Sequence, residues 1–254
     1  MRFLVDHPVL FALVSFVCLW LCAWAGSALM REYLRPGSEF KADFVVILSA
    51  SLTLLGLIIG FTFSMATSRY DLRKADEAAE ANAIGTEYVR ADLLPAEDSA
   101  RIKRLLQDYL QQRIEFYAAT HSAHAREITA RTEVLQNQLW SAVVSAMSTQ
   151  QKPTLTLVVS GMNDVLNSQA YTQAAWINRI PTSAWLLLAM MAVLCNLMVG
   201  YNQRSSEAAR GRFLAVLPLV VSIALFLIAD IDSPRGGVVR VTPQNLLLLS
   251  GTLK

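Results

Sequence analysis

Four stretches of the chain, Pro8–Met30, Phe44–Met65, Trp185–Tyr201 and Phe213–Ala229, run without a single Asp, Glu, Lys, Arg or His. A helix needs about 17–25 mainly apolar residues to cross the hydrocarbon core of a bilayer. In that core the backbone satisfies its own hydrogen bonds only as a helix or a closed barrel. The four stretches therefore predict an all-α membrane protein with four transmembrane helices in two hairpins. The polar residues between the second and third stretches keep a helical pattern and predict a long helical insertion. The expected organisation is a first hairpin over 1–66, an extramembrane helical bundle over 67–183 and a second hairpin over 184–229, with the C-terminal segment 230–254 packing on the bundle.

Composition narrows the partners. A mean hydropathy of +0.39 with 17% charged residues is too apolar for a soluble domain, in which about a quarter of residues are charged. The net charge of +2 and the lack of a basic tail argue against nucleic acid. Cys18 and Cys22 lie in the first stretch and Cys195 in the third. Such thiols behave as small apolar groups, so neither a disulfide framework nor a metal cluster nor a cofactor is expected. The first stretch is longer than the roughly 7–15-residue apolar core of a cleaved signal and reads as a retained helix. Trp20, Trp24 and Tyr33 near its end fit an interfacial aromatic belt.

The second stretch carries the clearest internal pattern. Ser49, Thr53, Gly56, Gly60 and Ser64 recur every three or four residues, a small-residue stripe on one helical face. The Gly56/Gly60 pair lets another backbone approach closely. Two readings stay open: packing within the chain, or a face that lines an oligomer axis or pore. No helix breaker follows Met65, so the helix is expected to leave the membrane as one rod to Gly85 or about Leu94. A fresh helix start is expected at Pro95, with acids in its first turn and Ile102, Leu105, Leu106, Tyr109, Leu110, Ile114 and Tyr117 in helical period. A turn over His121–Ala125 precedes a helix over Arg126–Met147 carrying Ile128, Leu135, Leu139 and Trp140. A further helix over Thr154–Arg179 places Leu157, Val158, Met162, Val165 and Leu166 on its buried side. Ile180-Pro181 marks re-entry into the membrane, Pro218 a kink in the fourth span, and Thr242-Pro243 opens a short terminal helix. Basic residues in the short loops at 31–43 and 202–212 and at the roots of the bundle pull in opposite directions, leaving sidedness open.

Chemistry is sparse. The chain has no phosphate loop, dinucleotide turn or nucleophile elbow, so it does not read as an enzyme. His121 and His124 read as a solvated pair rather than a metal site. The run Arg69, Asp71, Arg73, Lys74, Asp76, Glu77, Glu80 is either a solvated face of paired charges or a charged vestibule outside a pore. In the second case Arg69, Arg73, Lys74, Glu77 and Glu80 are the candidates, and Arg90 anchors the bundle through a carboxylate. Asp230, Asp232 and Arg235, before Gly236-Gly237, form either a structural Asp–Arg knot or a hard-oxygen calcium site.

A set of ordered motifs carries a resemblance. They are Gly60-Phe-Thr-Phe-Ser, Ser68-Arg-Tyr-Asp-Leu-Arg-Lys, Glu77-Ala-Ala-Glu-Ala-Asn-Ala-Ile-Gly-Thr-Glu-Tyr, Arg90-Ala-Asp-Leu-Leu-Pro and Leu106-Gln-Asp-Tyr-Leu. Met162-Asn-Asp-Val-Leu-Asn, Ile180-Pro181 and Asp230-Ile-Asp-Ser-Pro-Arg-Gly follow in order. From the second span to Gly237 the chain resembles the bestrophin-like membrane proteins of bacteria. The resemblance implies kinship with bestrophins, pentameric anion channels whose second membrane helix lines a narrow apolar neck. By that analogy Ile59, Phe61 and Phe63 are neck candidates, with Gly56 and Gly60 allowing close packing. The implied function is a homo-oligomeric, anion-conducting channel in the bacterial inner membrane, whose partners are the lipid bilayer, copies of itself and inorganic anions. The alternative is a non-conducting scaffold or sensor whose helical insertion binds a partner protein.

Overall fold

The computed structural model describes residues 6–33, 38–119, 122–149, 153–202 and 214–253. The described residues form helices and connecting turns, with no strand among them. The helices are α1 (Pro8–Tyr33), α2 (Ser38–Arg90), α3 (Ala96–Ala118), α4 (Ser122–Thr149), α5 (Leu155–Ile177), α6 (Thr182–Asn202), α7 (Val216–Asp232) and α8 (Gln244–Thr252), with a 3-10 turn over Ala91–Leu93 after α2. Helices long and apolar enough to cross a membrane fall within Pro8–Ala28, Ala42–Leu93 and Leu155–Asn202. The charge-free part of the last is α6. The fourth expected span corresponds to α7, whose 17 residues end in Asp230 and Asp232; Phe213 lies outside the described residues.

The chain divides into two compact units, Met1–Ser68 with Arg179–Val239, and Arg69–Asn178 with Arg240–Lys254. The boundary falls inside α2, a single helix of 53 residues. It ends where the sequence says it must: Leu94 is extended (φ −90°, ψ 163°) because Pro95 disfavours helix at the residue before it.

In the first unit Leu19, Leu55, Ala66, Trp185, Leu188, Ala192, Cys195, Val221, Leu225 and Ile228 make the core. Phe11 meets the Trp185 ring edge-on at 5.5 Å. The closest approach joins α1 to α6. A Cβ built on Gly26 would stand 2.1 Å from the Leu197 carbonyl oxygen, and one on Gly200 would stand 1.9 Å from that of Ala23. Small residues at such a seam let two membrane helices gain van der Waals contact along their backbones. Pro218 sits in the first turn of α7 rather than kinking its middle, and there its missing N–H leaves no helical bond unmade.

In the second unit Ile84, Ile102, Leu106, Tyr109, Ile128, Leu139, Val158, Met162 and Leu246 are buried together. Phe116, Tyr117 and Trp176 stack beside them, with ring centroids 5.1–5.7 Å apart. α4 begins at Ser122, so His124 and Ala125 are helical where a turn is expected. Ala125 is buried and draws the first turn into the core; His121 lies outside the described residues. Leu157, expected inside, is exposed. The buried stripe of α5 runs through Leu155, Val158, Met162 and Val165, and Leu157 falls off it by one helical step. Trp140 is likewise partly exposed.

Candidate functional site

The apolar half of α2 presents three faces. Leu48, Leu55, Thr62 and Ala66 are buried, with Ile59 partly buried on the same stripe. At about 100° per residue, Ser49, Thr53, Gly56, Gly60, Phe63 and Ser64 gather on a second face. Ile47, Leu54, Leu57, Phe61 and Met65, all exposed, make a third of large apolar groups. Phe63 lies within roughly 20° of Gly56, whereas Phe61 is about 160° away from Phe63. Among the described residues neither Gly56 nor Gly60 has an atom within 4 Å of a built Cβ, so the small-residue stripe packs against none of them. Ser49 and Thr53 donate to the carbonyls of Val45 and Ser49 at 2.8 and 2.9 Å. Their polarity is thereby absorbed by their own helix.

The charged half of α2 departs from both readings of its sequence. Arg73, Glu77 and Glu80 are 2, 1 and 0% exposed, so they are neither a solvated face nor a vestibule. They share the stripe that continues through Ile84 and points into the core. Glu77 accepts the backbone N–H groups of Asn245 and Leu246 at 2.9 and 3.0 Å and the Asn245 side-chain amide at 2.6 Å. It thus caps α8 from another helix, meeting N–H groups that have no partner within their own first turn. Glu80 pairs with Arg113 and accepts the hydroxyls of Tyr117 and Thr172, each at 3.3 Å. The Arg113 guanidinium lies 4.4 Å from the Phe116 ring centre. Burial, and then the Glu80 charge, push the Tyr117 phenol upward. Arg69 donates to Asn178 at 2.5 Å; Lys74 remains exposed. Arg90 donates to the Leu157 carbonyl at 3.5 Å. Glu77→Ala is expected to loosen α8, because three donors lose their acceptor at about 1–3 kcal/mol for each group left buried and unpaired. Tryptic cleavage after Arg240 should become faster, and wild-type cleavage kinetics would refute the capping role.

At the end of α7 the two carboxylates hold backbone. Asp230 accepts the N–H groups of Val238 and Val239 at 2.7 and 2.8 Å. Asp232 accepts that of Ile180 at 3.1 Å. Gly237 fits against them because a Cβ there would stand 2.3 Å from the Asp230 carbonyl oxygen. Arg235 is partly buried nearby in sequence. Oxygens already facing N–H donors suit loop closure better than cation ligation, and among the described residues no group of three or more His, Cys, Asp or Glu lies close enough to hold a metal. The helix positions of Glu80 and Glu77 within an apolar stripe were the signal for their burial. Gly200 carried none, since Asn196 rather than a small residue stands four positions before it on its own helix.

The sequence model of the Bestrophin-like domain matches residues 10–246, a wider span than the ordered motifs cover. Among curated proteins none matches the chain in sequence. Among solved structures, a bacterial bestrophin homolog from Klebsiella pneumoniae phased by Zn-SAD is similar at a TM-score of 0.66 and 14% identity, covering 96% of this chain and 98% of that one. Two point variants of that homolog are similar at TM-scores of 0.68 and 0.67, each at 13% identity and covering 96% of this chain, with 98 and 99% of their own length matched. The fold is shared with these proteins. The apolar helices and the match over residues 10–246 make this chain a membrane protein that belongs to the bestrophin-like family.

Proposed function

We propose that the protein is a homo-oligomeric ion channel of the bacterial inner membrane, anion-conducting as kinship with bestrophins implies, and not an enzyme. Its four spans are α1, the apolar half of α2, α6 and α7, arranged as two hairpins, and five copies surround the conduction axis. One observation carries the reading. Among the described residues the face with Gly56 and Gly60 has no neighbour, while the stripe through Leu48, Leu55, Thr62 and Ala66 on the same helix is buried, and a smooth open face of small residues suits an axis or an adjoining copy. The large apolar face with Leu54, Leu57 and Phe61 suits lipid or a neighbouring span. Phe63, on the small-residue face, then forms the apolar constriction that gates by dewetting. Ile59 contributes least, since it turns toward the core of its own unit.

Chloride efflux from liposomes carrying the purified protein tests this against protein-free vesicles. Flux above the control is expected. Phe63→Ala should raise it severalfold, and Phe61→Ala should leave it near wild type. Silence from folded, inserted protein would move the weight to a non-conducting scaffold. An increase from Phe61→Ala alone would turn the lumen to the other face of α2.

A further inference from the structure

One buried acid on α2 takes part in none of the networks above. Glu87 is 0% exposed, and neither of its carboxylate oxygens has a hydrogen-bond partner. It lies against Gly161 of α5, where a built Cβ would stand 1.9 Å from Glu87 Oε2 and 2.5 Å from Arg90 Nη1. The carboxyl therefore occupies the space of the side chain that residue 161 lacks, and α2 and α5 close over it. The buried acids Glu77 and Glu80 each hold two or more donors; Glu87 holds none. A charged carboxylate without donors is far more costly to bury than a neutral acid.

The charges around it are few and of mixed sign. Arg90, on the same helix, stands beside it and donates to Leu157. Asp164, one turn along α5 from Gly161, adds a like charge. Asp76 on α2 and Asp164 on α5 both line a cleft of about 300 Å³ with Ser168 and Tyr171. On the 3-10 turn and on α3, Asp92 and Lys103 are taken by each other at 2.6 Å. We propose that Glu87 is a proton-operated joint between α2 and α5. As a neutral acid it lets the two helices seat on Gly161; once ionised, with no donor inside the seam, it must gain water, and the seam opens. The proposal concerns the helical unit and stands whether or not the membrane half conducts.

Burial raises the Glu87 carboxyl to about 8, with Arg90 opposing and Asp164 adding to the rise. Its folded value thus lies above the ordinary 4.5. The folded state binds the extra proton between those limits, so stability from this group is complete below about pH 4.5 and is lost as pH rises to about 8.

Infrared difference spectra of the full-length protein in detergent should show a protonated carboxyl band that disappears on titration through about pH 8. That band should be missing from Glu87→Gln. Wild-type protein should also melt at least about 5 °C lower at about pH 9 than at about pH 6, and Glu87→Gln should lose most of that dependence. Because the wild-type titration needs no variant, it decides the matter even if Glu87→Gln folds poorly. A wild-type spectrum with no carboxyl titrating in that range would overturn the proposal, as would a variant with an unchanged melting profile.

Discussion

Arg113→Met should be among the most damaging single changes in the helical unit, with an expected loss of about 3–5 kcal/mol. Both partners of the Glu80–Arg113 pair are essentially without solvent exposure, so removing the guanidinium leaves a carboxylate that water cannot reach. The Tyr117 and Thr172 hydroxyls are neutral donors and cannot replace the lost charge. The contact of the guanidinium with the Phe116 ring, 4.4 Å from its centre, is lost together with the ion pair. Pairing Arg113→Met with Glu80→Gln should recover much of the loss, because a neutral amide in place of the anion no longer calls for a cation. For a chain of this size each kcal/mol moves the melting temperature by roughly 2–4 °C. Thermal unfolding in detergent should therefore show a fall on the order of 10 °C for the single variant and a clearly smaller one for the double. Equal melting of wild type and Arg113→Met would mean that the pair carries no stability.

Why this pair escaped the sequence reading is itself physical. Charge along residues 69–80 alternates in sign, the usual mark of a solvated helix. Periodicity distinguishes the cases only when charged and apolar residues are counted on the same wheel. Ala66, Arg73, Glu77, Glu80 and Ile84 then fall on one stripe, and all five are buried. A stripe half apolar and half charged can be buried only if each charge finds a partner from elsewhere. Those partners, Arg113 at a separation of 33 residues and Asn245 at 168, are set by tertiary packing that no local pattern encodes. The continuation of α2 beyond the apolar stretch and its end before Pro95 were legible, because helix formers, charge-free length and proline act locally. So was the likeness to the bestrophin-like family, through motifs spread across the chain.

The glycines show the converse failure. The Gly56/Gly60 spacing is the familiar signal for helix contact, yet among the described residues it touches nothing. The contact that is made uses one glycine from α1 and one from α6, helices far apart in sequence. Spacing on one helix reveals a smooth face; it does not say which neighbour fills it. An unfilled smooth face on a membrane helix is meaningful because hydrophobic burial does not drive helices together in lipid, and close backbone contact must do so.

Substituting the two kinds of glycine should accordingly have effects of opposite sign on the protomer. At Gly200 the methyl of alanine meets backbone, with the Ala23 carbonyl oxygen 1.9 Å and its carbon 2.8 Å from the built Cβ. No rotamer relieves a clash with backbone, so α1 and α6 must separate. Ala23, at the point of approach, is 0% exposed. Overpacking of this kind typically costs about 1–3 kcal/mol, and more where the neighbour cannot move. Gly200→Ala should lower the melting temperature by about 5 °C or more, with Gly26→Ala similar and the double variant failing to insert stably. Gly56→Ala meets open space and should leave the protomer unchanged or up to about 1 kcal/mol more stable, since alanine is the better helix former. Gly60→Leu should also preserve the protomer fold. If this face adjoins a second copy or the conduction axis, however, native mass spectrometry should show the assembly broken or altered in copy number. A Gly60→Leu protein that assembles and conducts as wild type would assign the face to lipid, and Gly200→Ala at wild-type stability would show that the α1–α6 seam can open without loss.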